Sequence, residues 1–242
     1  MPANSFEEKC KDAIAVLFDA ATLTAGKDGV CSALRHVVRL NKSIPEKADG
    51  TRIDYYLGPA TLHNFTNLFH YIDSAESQHR QRQRHIVVML KLFSYVQCVE
   101  NRYTYKALGN LLRVILKKAP DGELYDSFSS GAQCFNDVSE LAKRVSGATM
   151  LLELWQEFID FKLRNAVSHG DYVIRNDSSK VFIPSATLDL ITGHITAATE
   201  QKAAPAIYSF HKIDDLYKKA NSFQAAFKLH VQQFGIAIGP RY

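Results

Sequence analysis

ATMLLELWQEFIDFKLRNAVSHGDYVIR, residues 148–175, decides the fold, because its pattern changes at Gly170. Up to His169 the apolar residues recur at helical spacing. Beyond Gly170, DYVIR and KVFIP flank NDSS at 176–179, the signal of a β-hairpin. Read as one helix over 151–169, Leu151, Leu152, Leu154, Trp155, Phe158, Ile159, Phe161, Leu163, Ala166 and Val167 cover most of its circumference. A helix that apolar belongs inside a bundle, or between a bundle and a partner subunit. Its polar positions Glu153, Glu157, Asp160 and Arg164 follow i, i+4, i+7, i+11, one narrow stripe with Asp160 a turn before Arg164. His169 lies five positions past Arg164, about 140° around an ideal helix. Gly170 suits the left-handed residue that closes a helix.

Working outward, most of the chain before Gly170 reads as helix. Ser5 is an N-cap for residues 5–23, with Glu7 and Glu8 in the first turn. Residues 30–42 and 60–77 carry further helical patterns, joined by a connector over 50–59. The stretch 82–118 holds two helices, or one bent near Asn101–Tyr105, and Pro120 and Gly122 stop it. Residues 132–147 are helical again. TLDLI and ITAAT flank TGH as a second hairpin, AAPAIYSF adds a strand, and helical spacing returns over 211–234. The expectation is a mainly α, single-domain helical bundle. Its N-terminal helices occupy 1–78, core helices 79–170, a small β-hairpin insertion 171–210 and a C-terminal helix 211–235.

Composition narrows the function classes. Of 242 residues, 46% are hydrophobic and 22% charged, enough to bury a full core. No run is long enough to span a membrane. The acidic start MPANSFEEKC lacks the basic region of a signal peptide, so the expected compartment is the cytoplasm. Cys10, Cys31, Cys98 and Cys134 form no C-x-x-C pair and read as buried free thiols. The net charge of +4 permits an RNA partner without requiring one. Phosphate-loop, dinucleotide, nucleophile-elbow and H-E-x-x-H motifs are missing from the sequence. His63 and His70 share a helix face two turns apart, too far to chelate one zinc. The expectation is no metal and no cofactor.

RNAVSH, Arg164-Asn165-x-x-x-His169, resembles the R-(N/D/H)-x-x-x-H signature of HEPN domains. The resemblance covers residues 80 to 170 and the last helix, not the β insertion. It implies an α-helical bundle acting as a metal-independent endoribonuclease, with Arg164 and His169 as the catalytic pair and Asn165 as their polar companion. Gly170 and Tyr172 resemble residues that often follow the motif. Toxin members carry a tyrosine two places after the histidine, where this chain has Asp171. The family implies a homodimer with a composite site, a toxin or antiphage-defence setting, and an antitoxin or defence-system partner protein. Other members bind RNA or nucleotide without cutting it.

The residue types suit that chemistry. The 2′-OH of RNA is its own nucleophile, so the protein needs proton transfer and charge stabilisation. Histidine titrates near neutrality and can move the proton, while arginine offers phosphate a planar fork. RQRQRH repeats the spacing with Arg80 and His85, but lacks the asparagine and glycine and opens a helix. Arg80, Arg82 and Arg84 there are candidates for RNA phosphates. Tyr103 and Tyr105, near Arg102, stack on bases or pack in an amphipathic helix. The bland reading of RNAVSH is an Arg164–Asp160 ion pair with His169 capping the helix end, in a protein-interaction subunit.

Overall fold

The computed structural model describes residues 5–38, 43–45, 52–54, 72, 84–120, 131–175, 177–183, 187–188, 195–196 and 206–236. The described chain is mainly helical, with a small three-stranded antiparallel sheet before the last helix, as the sequence leads one to expect. It divides into two compact units.

The first unit comprises Met1–Asn67, Glu100–Glu157 and Asn221–Tyr242. Helix α1, Phe6–Val38, opens with a capping box. The Ser5 N–H donates to Glu8 Oε2 at 3.0 Å, and the Glu8 N–H to Ser5 Oγ at 3.3 Å. The helix is interrupted at Gly26, whose φ of 71° only glycine adopts readily. Strands β1, Ser43–Pro45, and β2, Arg52–Asp54, pair with each other, and β2 lies in the 50–59 stretch that reads as a connector. Helices α2, Arg84–Val99, and α3, Arg102–Ile115, resolve 82–118 into two helices; α2 belongs to the second unit. Helix α3 begins at Asn101, whose Oδ1 accepts from the Thr104 N–H, and it ends before Pro120. Helix α4 spans Gly131–Ala142 and α5 spans Thr149–Phe158.

This unit's core gathers around Trp155, ringed by Phe135, Tyr105 and Phe223 at centroid distances of 5.0, 5.7 and 6.2 Å. Phe18 packs in tilted ring contacts against Phe227 and Phe234. Each such ring stabilises the fold by roughly 1.5–3 kcal/mol through burial. Tyr103 and Tyr105 are buried here, which decides for packing over base stacking. All four cysteines are buried and free, as expected. Burial, with Glu157 and Glu7 nearby, pushes the Cys10 thiol up to about 12, so it stays protonated and inert.

The second unit comprises Leu68–Val99 and Phe158–Ala220. It contains α2, the nine-residue helix α6 at Phe161–His169, and the sheet. Strands β3, Val173–Arg175, β4, Lys180–Ile183, and β7, Ala206–Ser209, are ordered β3-β4-β7. The register aligns Ile174, Val181 and Tyr208 on one face and Val173, Phe182 and Ile207 on the other. Val181 is fully buried, while Val173 and Ile207 are exposed, so the first face looks into the unit. Strands β5, Thr187–Leu188, and β6, Ile195–Thr196, form the second expected hairpin. Helix α7, Phe210–Gln233, starts here and ends in the first unit. The helix read over 60–77 lies outside the described residues except for Ile72, as do His63 and His70.

Candidate functional site

The single helix expected over 151–169 is two. Helix α5 stops at Phe158 and α6 starts at Phe161, with Asp160 as the N-cap of α6 in extended conformation (φ −116°, ψ 99°). The physical reason is a set of four hydrogen bonds. Asp160 Oδ1 accepts from the Leu163 N–H at 2.9 Å, a standard helix cap. Its Oδ2 accepts from the Tyr208 hydroxyl of β7 at 2.8 Å. The Asp160 N–H donates to the Tyr95 hydroxyl of α2 at 2.8 Å, and that hydroxyl donates to the Phe158 carbonyl at 2.9 Å. The Phe158 carbonyl and the Asp160 N–H, which a continuous helix would pair internally, are thus satisfied by the Tyr95 phenol, while the Tyr208 phenol holds the Asp160 carboxylate. Burial raises both phenols above the ordinary tyrosine value, so they remain protonated donors.

The break also dissolves the expected acidic stripe. Glu157 pairs with Lys9 of α1 at 3.4 Å, while the Asp160 carboxylate serves Leu163 and Tyr208. Asp160 therefore acts as a cap and anchor at the base of α6.

From that base α6 carries the motif. Arg164 is half-buried, and its Nη1 donates to Asn165 Oδ1 at 2.6 Å. A charged donor on a neutral oxygen makes a strong, orienting bond. Asn165 itself is exposed. His169, the last helical residue, is exposed, and its ring has no hydrogen-bond partner among the described residues. The helix end is closed by backbone instead: Gly170 adopts φ 76°, and the N–H groups of Gly170 and Asp171 donate to the Val167 and Ala166 carbonyls at 3.3 and 2.8 Å. Gly170 thus fills its expected role, and the imidazole does not cap the helix. Tyr172 is half-buried, which raises its hydroxyl.

Of the basic stretch, Arg84 begins α2, exposed, with its guanidinium 5.3 Å from the Phe210 ring centroid. Arg80 and Arg82 lie outside the described residues. The structure therefore brings Arg164 and Asn165 together and leaves His169 at the far end of the helix.

Sequence reasoning missed Tyr95 and Tyr208, and also a buried charge. Lys91 of α2, 3% exposed, meets Asp214 of α7 at 2.6 Å and lies 5.5 Å from the Tyr217 ring centroid. Lys218 approaches the same carboxylate at 2.7 Å. Burial pushes Asp214 up, but the hydrogen bonds from Lys218 and Lys91 outweigh it and hold the carboxyl below its ordinary value. The one available signal was Lys91 itself, set inside the apolar run IVVMLKLF.

Among the described residues no three His, Cys, Asp or Glu side chains converge as a metal site, and no helix is long and apolar enough to cross a membrane. No protein-family model matches the chain, and no curated protein or solved structure is similar to it.

Proposed function

We propose that this chain is a HEPN-type, metal-independent endoribonuclease using Arg164, Asn165 and His169. The observation that carries the reading is the Arg164–Asn165 bond, which fixes a guanidinium fork, five positions before an exposed, unengaged imidazole. In the reaction the RNA 2′-oxygen attacks phosphorus as its proton passes to a base, and the bond to the 5′-oxygen breaks as that oxygen gains a proton. Arg164 steadies the phosphorane charge and His169 moves a proton. Because α6 stays helical through His169, the separation of about 140° stands within one chain. The proposal therefore includes a homodimer in which each phosphate meets groups from two subunits. Arg84, with Arg80 and Arg82, supplies phosphate contacts. A toxin or defence role, with an inhibiting or activating partner protein in the cytoplasm, is the setting in which such an enzyme fits.

That same angular separation favours, as second reading, a module that binds RNA or nucleotide without cutting it. Incubation of the pure protein with RNA and with DNA in EDTA distinguishes them. The enzyme reading expects RNA alone to be cut, leaving 2′,3′-cyclic phosphate and 5′-hydroxyl ends. Products with 3′-hydroxyl ends, or activity abolished by the chelator, contradict the mechanism. Intact RNA retained on a filter supports the second reading.

A further inference from the structure

Within the first unit, two irregular backbone features meet at one cavity. A space of about 330 Å³ is lined by Thr24, Ala25, Gly29 and Ser32 of α1 and by Val114, Lys117, Lys118 and Pro120 at the end of α3. On one side α1 is kinked at Gly26, and Gly29 has no room for a side chain, since a Cβ there would stand 2.6 Å from the Ala25 Cβ. On the other side Lys117 has φ 56°, the left-handed region. Its N–H donates to the Val114 carbonyl at 2.9 Å, and the Lys118 N–H to the Arg113 carbonyl at 2.8 Å.

This is a helix-ending turn whose left-handed position glycine or asparagine normally fills. A lysine there is strained by roughly 1–2 kcal/mol. Strain kept at one residue directs attention to what that residue does. Arg113 Nε, bonded to the Ala119 carbonyl at 2.9 Å, holds the 117–120 segment against its helix. The turn is therefore preorganised.

Lys117 and Lys118 are exposed, and neither ammonium has an ion pair or hydrogen bond among the described residues. Two adjacent uncompensated cations repel each other, and an anion between them relieves that. The Ser32 hydroxyl is likewise unengaged among the described residues, so it can donate to the same anion. Thr24 spends its proton on the Ala20 carbonyl at 2.8 Å and offers only lone pairs. Asp28, the acidic residue in this turn of α1, does not line the cavity. Among the described lining residues, Ala25, Val114 and Pro120 add apolar surface. The volume is at the small end for ligand pockets, room for one compact molecule rather than a polymer.

We propose that this cavity binds a small phosphorylated ligand, its phosphate held by Lys117, Lys118 and Ser32 and its apolar body set against Ala25, Val114 and Pro120. The site is independent of Arg164 and His169.

Calorimetric titration of the full chain with inorganic phosphate and with nucleoside monophosphates tests it. Both probes should bind, the monophosphates more tightly because they add an apolar body. Lys118→Ala and Lys117→Gly should each weaken binding about tenfold or more, the loss of one charge-assisted bond. Lys117→Gly should do so without lowering the melting temperature, because glycine relieves the left-handed strain; a merely structural lysine would not separate the two readouts this way. Arg164→Ala and His169→Ala should bind as the parent does. The proposal is overturned by no binding of any probe at millimolar concentration, by binding that survives both lysine substitutions, or by binding lost with Arg164→Ala.

Discussion

Asn101 and Asp160 both interrupt long helical stretches, and both do so by capping the next helix, yet they are braced differently. Asn101 is buried and neutral. Its amide Nδ2 donates to Gln224 Oε1 at 3.3 Å, an oxygen shared with the Thr104 hydroxyl at 2.8 Å. The break before α3 is thus closed inside a buried polar knot. Asp160 is a half-buried carboxylate, braced by a phenol from α2 and another from β7. That second break frees a short helix whose far end carries an exposed imidazole. A neutral cap makes an internal joint; a charged cap between tyrosines makes a mount for a surface element.

Breaking the two joints should show the difference. The largest stability loss is expected for Gln224→Leu, which strands the buried Asn101 and Thr104 donors at about 1–3 kcal/mol each; urea denaturation followed by circular dichroism measures it. Asp160→Ala removes one cap and the acceptor of one phenol, for about 1–3 kcal/mol. It should also impair any α6-dependent activity, whereas Asp160→Asn, which keeps an oxygen acceptor, should recover much of the stability. Tyr208→Phe should cost about 1 kcal/mol at neutral pH.

The same substitution sharpens the contrast in alkali. Tyr95 and Tyr208 are raised by burial, so the fold favours their protonated forms. That stability is fully present below the unfolded tyrosine value, about 10, and is lost as pH rises beyond it. Tyr208→Phe should make the decline in melting temperature above about pH 10 shallower. The smallest effect belongs to the acid side. Asp214 is lowered, so its contribution is present above the unfolded value of about 3.9 and lost as pH falls through the folded one. Removing the exposed partner with Lys218→Ala should change this arm by only a few tenths of a kcal/mol, because Lys91 remains.

Local chemistry was legible in the sequence. Ser5 with Glu8, Gly170 at the helix end, the bend near Asn101 and the strands on either side of 176–179 each announce themselves within a few residues. The Asn101 break shows because polar Glu100, Asn101 and Arg102 interrupt the apolar pattern. Asp160 stands between Phe158, Ile159, Phe161 and Leu163, so apolar periodicity ran straight across it. What decides that break is 65 residues upstream at Tyr95 and 48 downstream at Tyr208. Lys91 and Asp214, 123 residues apart, were hidden for the same reason. For the candidate site, the sequence supplied Arg164, Asn165 and His169, but not the orientation of Arg164 toward its neighbour.

The most direct test of the α6 end as a catalytic site compares RNA cleavage in EDTA by the parent, His169→Ala and His85→Ala, each confirmed as folded by circular dichroism and melting. Loss of a proton-transferring histidine typically costs on the order of 10²–10⁴ in rate. That loss is expected for His169→Ala, and near-parental cleavage for His85→Ala. A folded His169→Ala that cuts at the parental rate, with His85→Ala inactive, contradicts it and moves the active site to the basic stretch before α2.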